Sequence, residues 1–159
     1  MELPFIMIEL NLIPDSDARL HTRVEVFNPK ENKEFLMDVI PRMFDLMKEK
    51  DGIGLSANQV GIMKRFFIMS IDGSDYVCIN PRIIKFKNRN PIVSNEGCLS
   101  FPGKMLSLYR HDEIKVSYQN ESGKRFEKKF NGITSICFQH ELDHLNGITF
   151  VDRLNEKVK

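Results

Sequence analysis

Residues His140-Glu141-Leu142-Asp143-His144 form an H-E-x-x-H sequence. On a helix, positions four apart lie one turn apart on one face, so the two imidazoles aim at one point and the glutamate lies beside it. Such a group suits a divalent metal ion with an adjacent carboxylate that moves protons, the chemistry of hydrolytic metal enzymes. A helix with two surface histidines and a solvated glutamate is the competing reading. Ile136, Cys137 and Leu145 oppose it, because they make the segment more than a solvated surface.

Two histidines do not complete a metal site, and the familiar H-E-x-x-H patterns supply the third ligand downstream. The metzincin continuation has Gly147 in place but meets Phe150 where it needs histidine, and a thermolysin-type glutamate would fall past Lys159. The ligand is therefore sought upstream, among His21, His111, Cys78, Cys98, Cys137 and the carboxylates. Cys137 shares the histidine stripe, but at about 1.5 Å of rise per residue its backbone lies roughly 10 Å from that of His144, too far for one ion. Cys98 sits in Asn95-Glu96-Gly97-Cys98-Leu99-Ser100, where Gly97 permits the close approach needed to deliver a thiolate. A buried structural cysteine is the alternative there. A further island, Gly52-Ile53-Gly54-Leu55-Ser56-Ala57-Asn58-Gln59, combines small residues with one side-chain amide that can approach a ligand. It lacks the G-x-x-x-x-G-K-[ST] pattern of a phosphate cradle.

These islands need elements to hold them. Thr134 to Asn146 reads as a helix with Ile136, Cys137, His140 and His144 on one stripe, Asn131-Gly132 before it and Asn146-Gly147 closing it. A second helical pattern spans Glu34 to Lys50, with Phe35, Leu36, Val39, Ile40, Met43, Phe44 and Met47 at three- and four-residue spacing. Pro41 predicts a kink there or a helix that begins near it. Phe5 to Ile13 reads as extended and Arg65 to Ile71 as a buried strand. Tyr76 to Ile79, Arg82 to Lys87, Glu113 to Gln119 and Arg125 to Phe130 read as short strands, the last two joined by a turn at Asn120 to Gly123. The expected fold class is α+β, with mixed, mostly antiparallel strands around a central helix that carries H-E-x-x-H.

With 159 residues and 42% apolar composition the expectation is one domain, residues 1–159. Lys plus Arg number 23 against 22 for Asp plus Glu, a net charge near +1 that argues against direct nucleic-acid or membrane binding. Three cysteines without framework spacing point to a reducing compartment. Met1 to Leu12 lacks the basic region and cleavage site of a signal peptide, and no window has the ~18 apolar residues of a membrane span. The cytoplasm, bacterial or that of a phage-infected host, is the expected location.

Taken together, G-I-G-L-S-A-N-Q at Gly52 to Gln59, E-G-C-L-S at Glu96 to Ser100 and Q-H-E-L-D-H at Gln139 to His144 resemble peptide deformylases in order and spacing, over about Pro14 to Leu154. The resemblance implies a peptide deformylase-like fold and removal of the formyl group from amino-terminal formylmethionine of newly made polypeptides, with release of formate. It implies one metal ion held by Cys98, His140 and His144, with Fe²⁺ the expected physiological ion and Zn²⁺, Ni²⁺ or Co²⁺ also suited to the donors. It assigns Glu141 as acid/base, with Gln59 and the Leu99 amide stabilising the oxyanion, and pairs Asp143 with Arg110. Ser56 stands where the family more commonly has Ala. Formyl-methionyl nascent peptides are the implied partners. The chain resembles shortened forms such as those carried by phages, without the further carboxy-terminal helix, so a ribosome contact would be transient.

Ile133, Ile136 and Cys137 precede His140 by one to two turns on the same broad face and are expected to wall an apolar pocket for the methionine side chain. Ile53, Gly54, Glu96 and Gly97 are expected to contact an extended peptide backbone. Competing functions are an internal peptidase, which lacks its downstream ligand, and a structural metal clip, which needs a fourth protein ligand.

Overall fold

The run Phe66-Phe67-Ile68-Met69 sets the layering. A computed structural model describes residues 9–87 and 90–155. In it the run lies in a strand whose successive side chains point to opposite faces, and all four are fully buried. A strand covered on both faces reads as a continuous apolar run rather than an alternating one.

The elements in chain order are α1 (Lys33–Glu49), β1 (Gly54–Ser56), a 3₁₀ turn (Ala57–Val60), β2 (Phe66–Ile71), β3 (Ser74–Phe86), β4 (Ile92–Cys98), β5 (Phe101–Arg110), β6 (Glu113–Gln119), β7 (Arg125–Asn131), α2 (Gly132–Leu145) and α3 (Phe150–Asn155). Short 3₁₀ turns at Ala18–His21 and Lys30–Asn32 precede α1. A five-stranded antiparallel sheet runs in the order β1-β2-β3-β6-β7, and β4 and β5 form a separate antiparallel ribbon. On one face of the large sheet, Leu36, Val39, Met43 and Met47 of α1 cluster with Leu55, Phe66, Ile68 and Ile79. On the other, Phe138, Leu142 and Leu145 of α2 cluster with Phe67, Met69, Val116 and Phe130. Helix α2 is thus sunk into the molecule, with every residue from Cys137 to Leu145 buried. The structure is the expected α+β fold around a central helix.

Several boundaries differ from those read in the sequence. Helix α1 begins at Lys33 and continues through Pro41 rather than starting there. Pro41 has no N–H to give the Met37 carbonyl, but Pro41 is exposed and Met37 is 64% exposed, so that carbonyl faces the side where water can satisfy it. The two strands expected around Asn80-Pro81 are one, β3, which bends through a bulge. Asn80 takes a left-handed φ of 49°, held by its side-chain bonds to both Phe27 backbone groups and to the Gln119 amide oxygen. Of the extended amino-terminal segment, Phe5 to Ile8 lies outside the described residues and Leu10 to Ile13 has no regular structure. Leu10 and Leu12 nevertheless pack on the α1 cluster.

Phe138 ties the α2 layer to the sheet, meeting Phe67 edge-on with ring centroids 5.0 Å apart and Phe130 at 5.8 Å. Phe138→Ala is expected to lower unfolding stability by about 3–5 kcal/mol in urea titration, and a loss below about 1 kcal/mol would show that α2 is held elsewhere.

Candidate active site

Four segments meet at α2. The helix supplies His140 and His144 one turn apart, their ring centroids separated by 5.0 Å. Cys98 closes β4 and pairs with Phe101 of β5, so the intervening Leu99-Ser100 forms a tight reversal that carries the thiol to the helix. Its Sγ lies 3.3 Å from His144 Nε2, and one donor atom each from Cys98, His140 and His144 lies within 4.8 Å of the others. Among the described residues no other group of three such side chains converges. His21 is exposed on the Asp15 carbonyl, Cys78 is buried in the core and His111 stacks near Phe86.

The surroundings fit a cation. Burial opposes charge on His140, yet the Cys98 sulfur and the Glu96 carboxylate outweigh it and push its pKa up to about 10. Neighbours that favour a proton on this ring also favour a metal ion. Nδ1 of His140 meets Glu96 Oε1 at 2.8 Å, which fixes the ring and leaves Nε2 to turn toward Cys98. His144 is pushed well below its usual value by burial, and further by the charges of His140 and Arg110, so its ring stays neutral as a ligand must. Its Nδ1 is buried with no hydrogen-bond partner, which leaves Nε2 as the nitrogen engaged at the site.

Glu96 is itself held. Burial alone would raise its pKa, but hydrogen bonds from His140 and Arg110 and the Arg110 charge bring it down to about 2. Arg110 donates to both Glu96 oxygens at 2.9 Å and to Asp143 Oδ2 at 2.6 Å, and Arg153 of α3 donates to Asp143 at 2.7 and 2.9 Å. The Asp143–Arg110 pair expected from the family pattern is present and extends to α3.

Glu141 is 3% exposed, and burial raises its pKa, with His140 and the Ser56 hydroxyl pulling the other way. A carboxyl shifted upward holds a proton more readily than one in water, as a group that both takes and returns a proton requires. Gln59 Oε1 accepts the Ser56 N–H at 2.9 Å, while Nε2 donates to Ser100 Oγ at 3.0 Å and lies 3.8 Å from Cys98 Sγ. Leu99 is partly buried against the α1 cluster, and a Cβ on Gly52 would come within 2.7 Å of its side chain.

A cavity of about 860 Å³ opens beside these groups. Ile53, Gly54, Glu96, Gly97, Ile136 and Cys137 all line it, as do Ile133, Cys98, Leu99, His140 and Glu141. Gly54 is required by space, since a Cβ there would lie 2.8 Å from both Cys137 Sγ and Glu141 Oε1. Cys137 stands apart from the Cys98–His140–His144 group, and burial raises its thiol well above the usual range, so it presents a neutral wall. Glu96 borders the cavity, but its carboxylate is turned to His140 and Arg110 rather than to a peptide. The sequence reading gave it only a peptide contact and missed the histidine contact, which is made across 44 residues of chain. It also missed what Ser56 and Ser100 touch. The S-x-x-Q spacing of Ser56 and Gln59, a capping box, was a legible signal for the contact between those two residues alone.

A partly buried thiol beside two buried imidazoles, with a carboxylate lining the same cavity, defines the site of a metal-dependent hydrolase. The model of the polypeptide deformylase family matches residues 9–159. A peptide deformylase of Chromobacterium violaceum is 42% identical over 156 residues, 94% of this chain and 89% of that protein. The crystal structure of peptide deformylase from Thermotoga maritima superposes with a TM-score of 0.85 at 39% identity, covering 92% of this chain and 97% of that one. A Met-Ala-Ser-bound class I type b peptide deformylase from Acinetobacter baumannii matches with a TM-score of 0.85 at 30% identity over 92% of this chain and 98% of that one. The chain belongs to the polypeptide deformylase family. It is an enzyme, a metal-dependent hydrolase that removes the N-formyl group from newly made polypeptides.

Because Glu96 fixes the His140 ring, Glu96→Gln is expected to weaken metal binding about 10- to 100-fold in competition with a chromogenic chelator. Unchanged affinity would show that the ring is held without it.

Proposed function

We propose that the whole chain acts as one catalytic domain in which Cys98, His140 and His144 hold a single divalent ion and Glu141 moves the proton during hydrolysis of a formyl-methionyl peptide. The reading is carried by one observation: the three donor atoms lie within 4.8 Å of one another with Glu141 beside them at the cavity. No fourth His, Cys or carboxylate joins them among the described residues, as an open catalytic site rather than a closed structural one requires. The family resemblance points to Fe²⁺, and the same donors suit Zn²⁺, Ni²⁺ or Co²⁺. When bound, such an ion supplies the Lewis acidity that lets water lose a proton near neutral pH.

Glu141 accepts that proton and later gives it to the departing amine, so one carboxyl serves as base and then as acid. Gln59 Nε2 faces the Cys98 side of the site, where with the Leu99 N–H it would meet the negative charge growing on the formyl oxygen. Ile133, Ile136 and Cys137 offer an apolar wall for the methionine side chain, and Ile53, Gly54 and Gly97 border the path of the peptide backbone. The partners are nascent formyl-methionyl peptides, met in the cytoplasm. No helix among the described residues is long and apolar enough to cross a membrane.

Formate release from formyl-Met-Ala-Ser tests the reading. Glu141→Gln is expected to abolish release while keeping the metal, because it removes the proton carrier and no ligand; a variant that retained activity would refute the assignment. Formyl-Met peptides are expected to exceed formyl-Asp peptides in kcat/KM by roughly 10-fold or more, and Cys137→Phe to erode that preference more than it erodes metal content. Equal rates on both substrates would place the methionine pocket elsewhere.

A further inference from the structure

The Ser56 side chain is completely buried and reaches Glu141 across 85 residues of sequence. Its Oγ lies 2.6 Å from Glu141 Oε2 and 2.9 Å from the Glu141 main-chain oxygen. With Glu141 ionised both partners are acceptors, so the single hydroxyl proton is committed to Glu141, and the shorter contact, to the carboxylate, is the stronger. Glu141 Oε1 makes no hydrogen bond among those described and is not enclosed without a partner; Glu141 lines the cavity. Gly54 is what leaves this oxygen room, since a Cβ there would sit 2.8 Å from it. The two carboxylate oxygens therefore differ: one is anchored and one is free.

The Ser56 main chain acts on the second functional side chain. Its N–H occupies Gln59 Oε1, which fixes the amide so that the Nε2 donor points to Ser100 and Cys98. With the amide reversed, an oxygen would face the Ser56 N–H no longer and would crowd toward the Cys98 sulfur.

We infer that Ser56 is a positioning residue of the reaction, with its hydroxyl anchoring Glu141 through Oε2 so that Oε1 alone carries the proton, while its N–H orients the Gln59 amide. This rests on the proposed role of Glu141. A carboxylate able to rotate about its last bond presents the proton-carrying atom in the reactive geometry for only part of the time, and a fixed one does not incur that loss. The residue at this position acts through Glu141 and does not itself touch the reacting atoms.

Ser56→Ala removes the hydroxyl, keeps the N–H, and leaves a small side chain in a fully buried position, so the loop is expected to fold. On formyl-Met-Ala-Ser the variant is expected to retain metal content and KM while kcat falls roughly three- to tenfold. In its crystal structure the Glu141 carboxylate is expected to occupy a second rotamer or a rotated position. Combined with Glu141→Asp, whose shorter arm already breaks the contact, Ser56→Ala is expected to cause little further loss. An unchanged kcat, a single unchanged Glu141 rotamer, or a full multiplicative loss in the double variant would each overturn the inference. Failure of the underlying reading would show separately, as activity retained by Glu141→Gln.

Discussion

The Glu96 carboxylate stands between His140 Nδ1 and the Arg110 guanidinium, in a region where Arg110 is 3% and Glu96 6% exposed. A charge so deeply buried is costly unless every lone pair is met, and here both Glu96 oxygens are engaged by Arg110 while one also meets the histidine. Arg110 is matched in turn by Asp143, and Asp143 by Arg153. Removing one member leaves its neighbour charged and unpaired, a loss of about 3–5 kcal/mol for a buried pair. The chain of contacts links β4, β5, α2 and α3, so the orientation of the His140 ring is set by four elements at once.

Placing that chain inside the molecule requires a helix that is buried and also polar. Helix α2 carries Ser135, Gln139, His140, Glu141, Asp143 and His144 in buried positions, and one face of the sheet supplies the apolar mass it packs against. Apart from His144 Nδ1, these polar side chains find partners: Gln139 and Ser135 bond the His111 carbonyl, and Ser56 bonds Glu141. The helix end is closed by Arg65, whose guanidinium donates to the Val24 and Leu145 carbonyls and to Asn146. That contact supplies donors where the last carbonyls of α2 lack helical partners. A low-dielectric setting of this kind strengthens each electrostatic contact at the site and is what shifts Glu141 upward.

Buried and exposed parts divide accordingly. Helix α2 and β1 lie between packed layers, whereas the cavity is bounded by the two-stranded ribbon, where Val93 and Met105 are 63% and 68% exposed. The hydrolytic groups are thus fixed from behind by the core, and the apolar surface left open lies where a peptide can reach it.

The chemistry was legible in the sequence because its residues are local. H-E-x-x-H puts two imidazoles and a carboxylate on one helical turn whatever surrounds them, and the continuous apolar run at Phe66 to Met69 announces a strand covered on both faces. Cys98 was legible only as one of several upstream candidates to join the two histidines until the three motifs were taken together, because a helix period says nothing about which distant segment meets it. The ribbon β4–β5 escaped notice because Asn95, Gly97, Pro102 and Gly103 depress strand propensity, and pairing between the two strands supplies what the sequence lacks. Glu96 read as a peptide contact, and Ser56 as an unremarkable substitution. What each touches, His140 across 44 residues and Glu141 across 85, is decided by tertiary packing, since hydrogen-bond partners so far apart in the chain leave no period or spacing in the sequence to read.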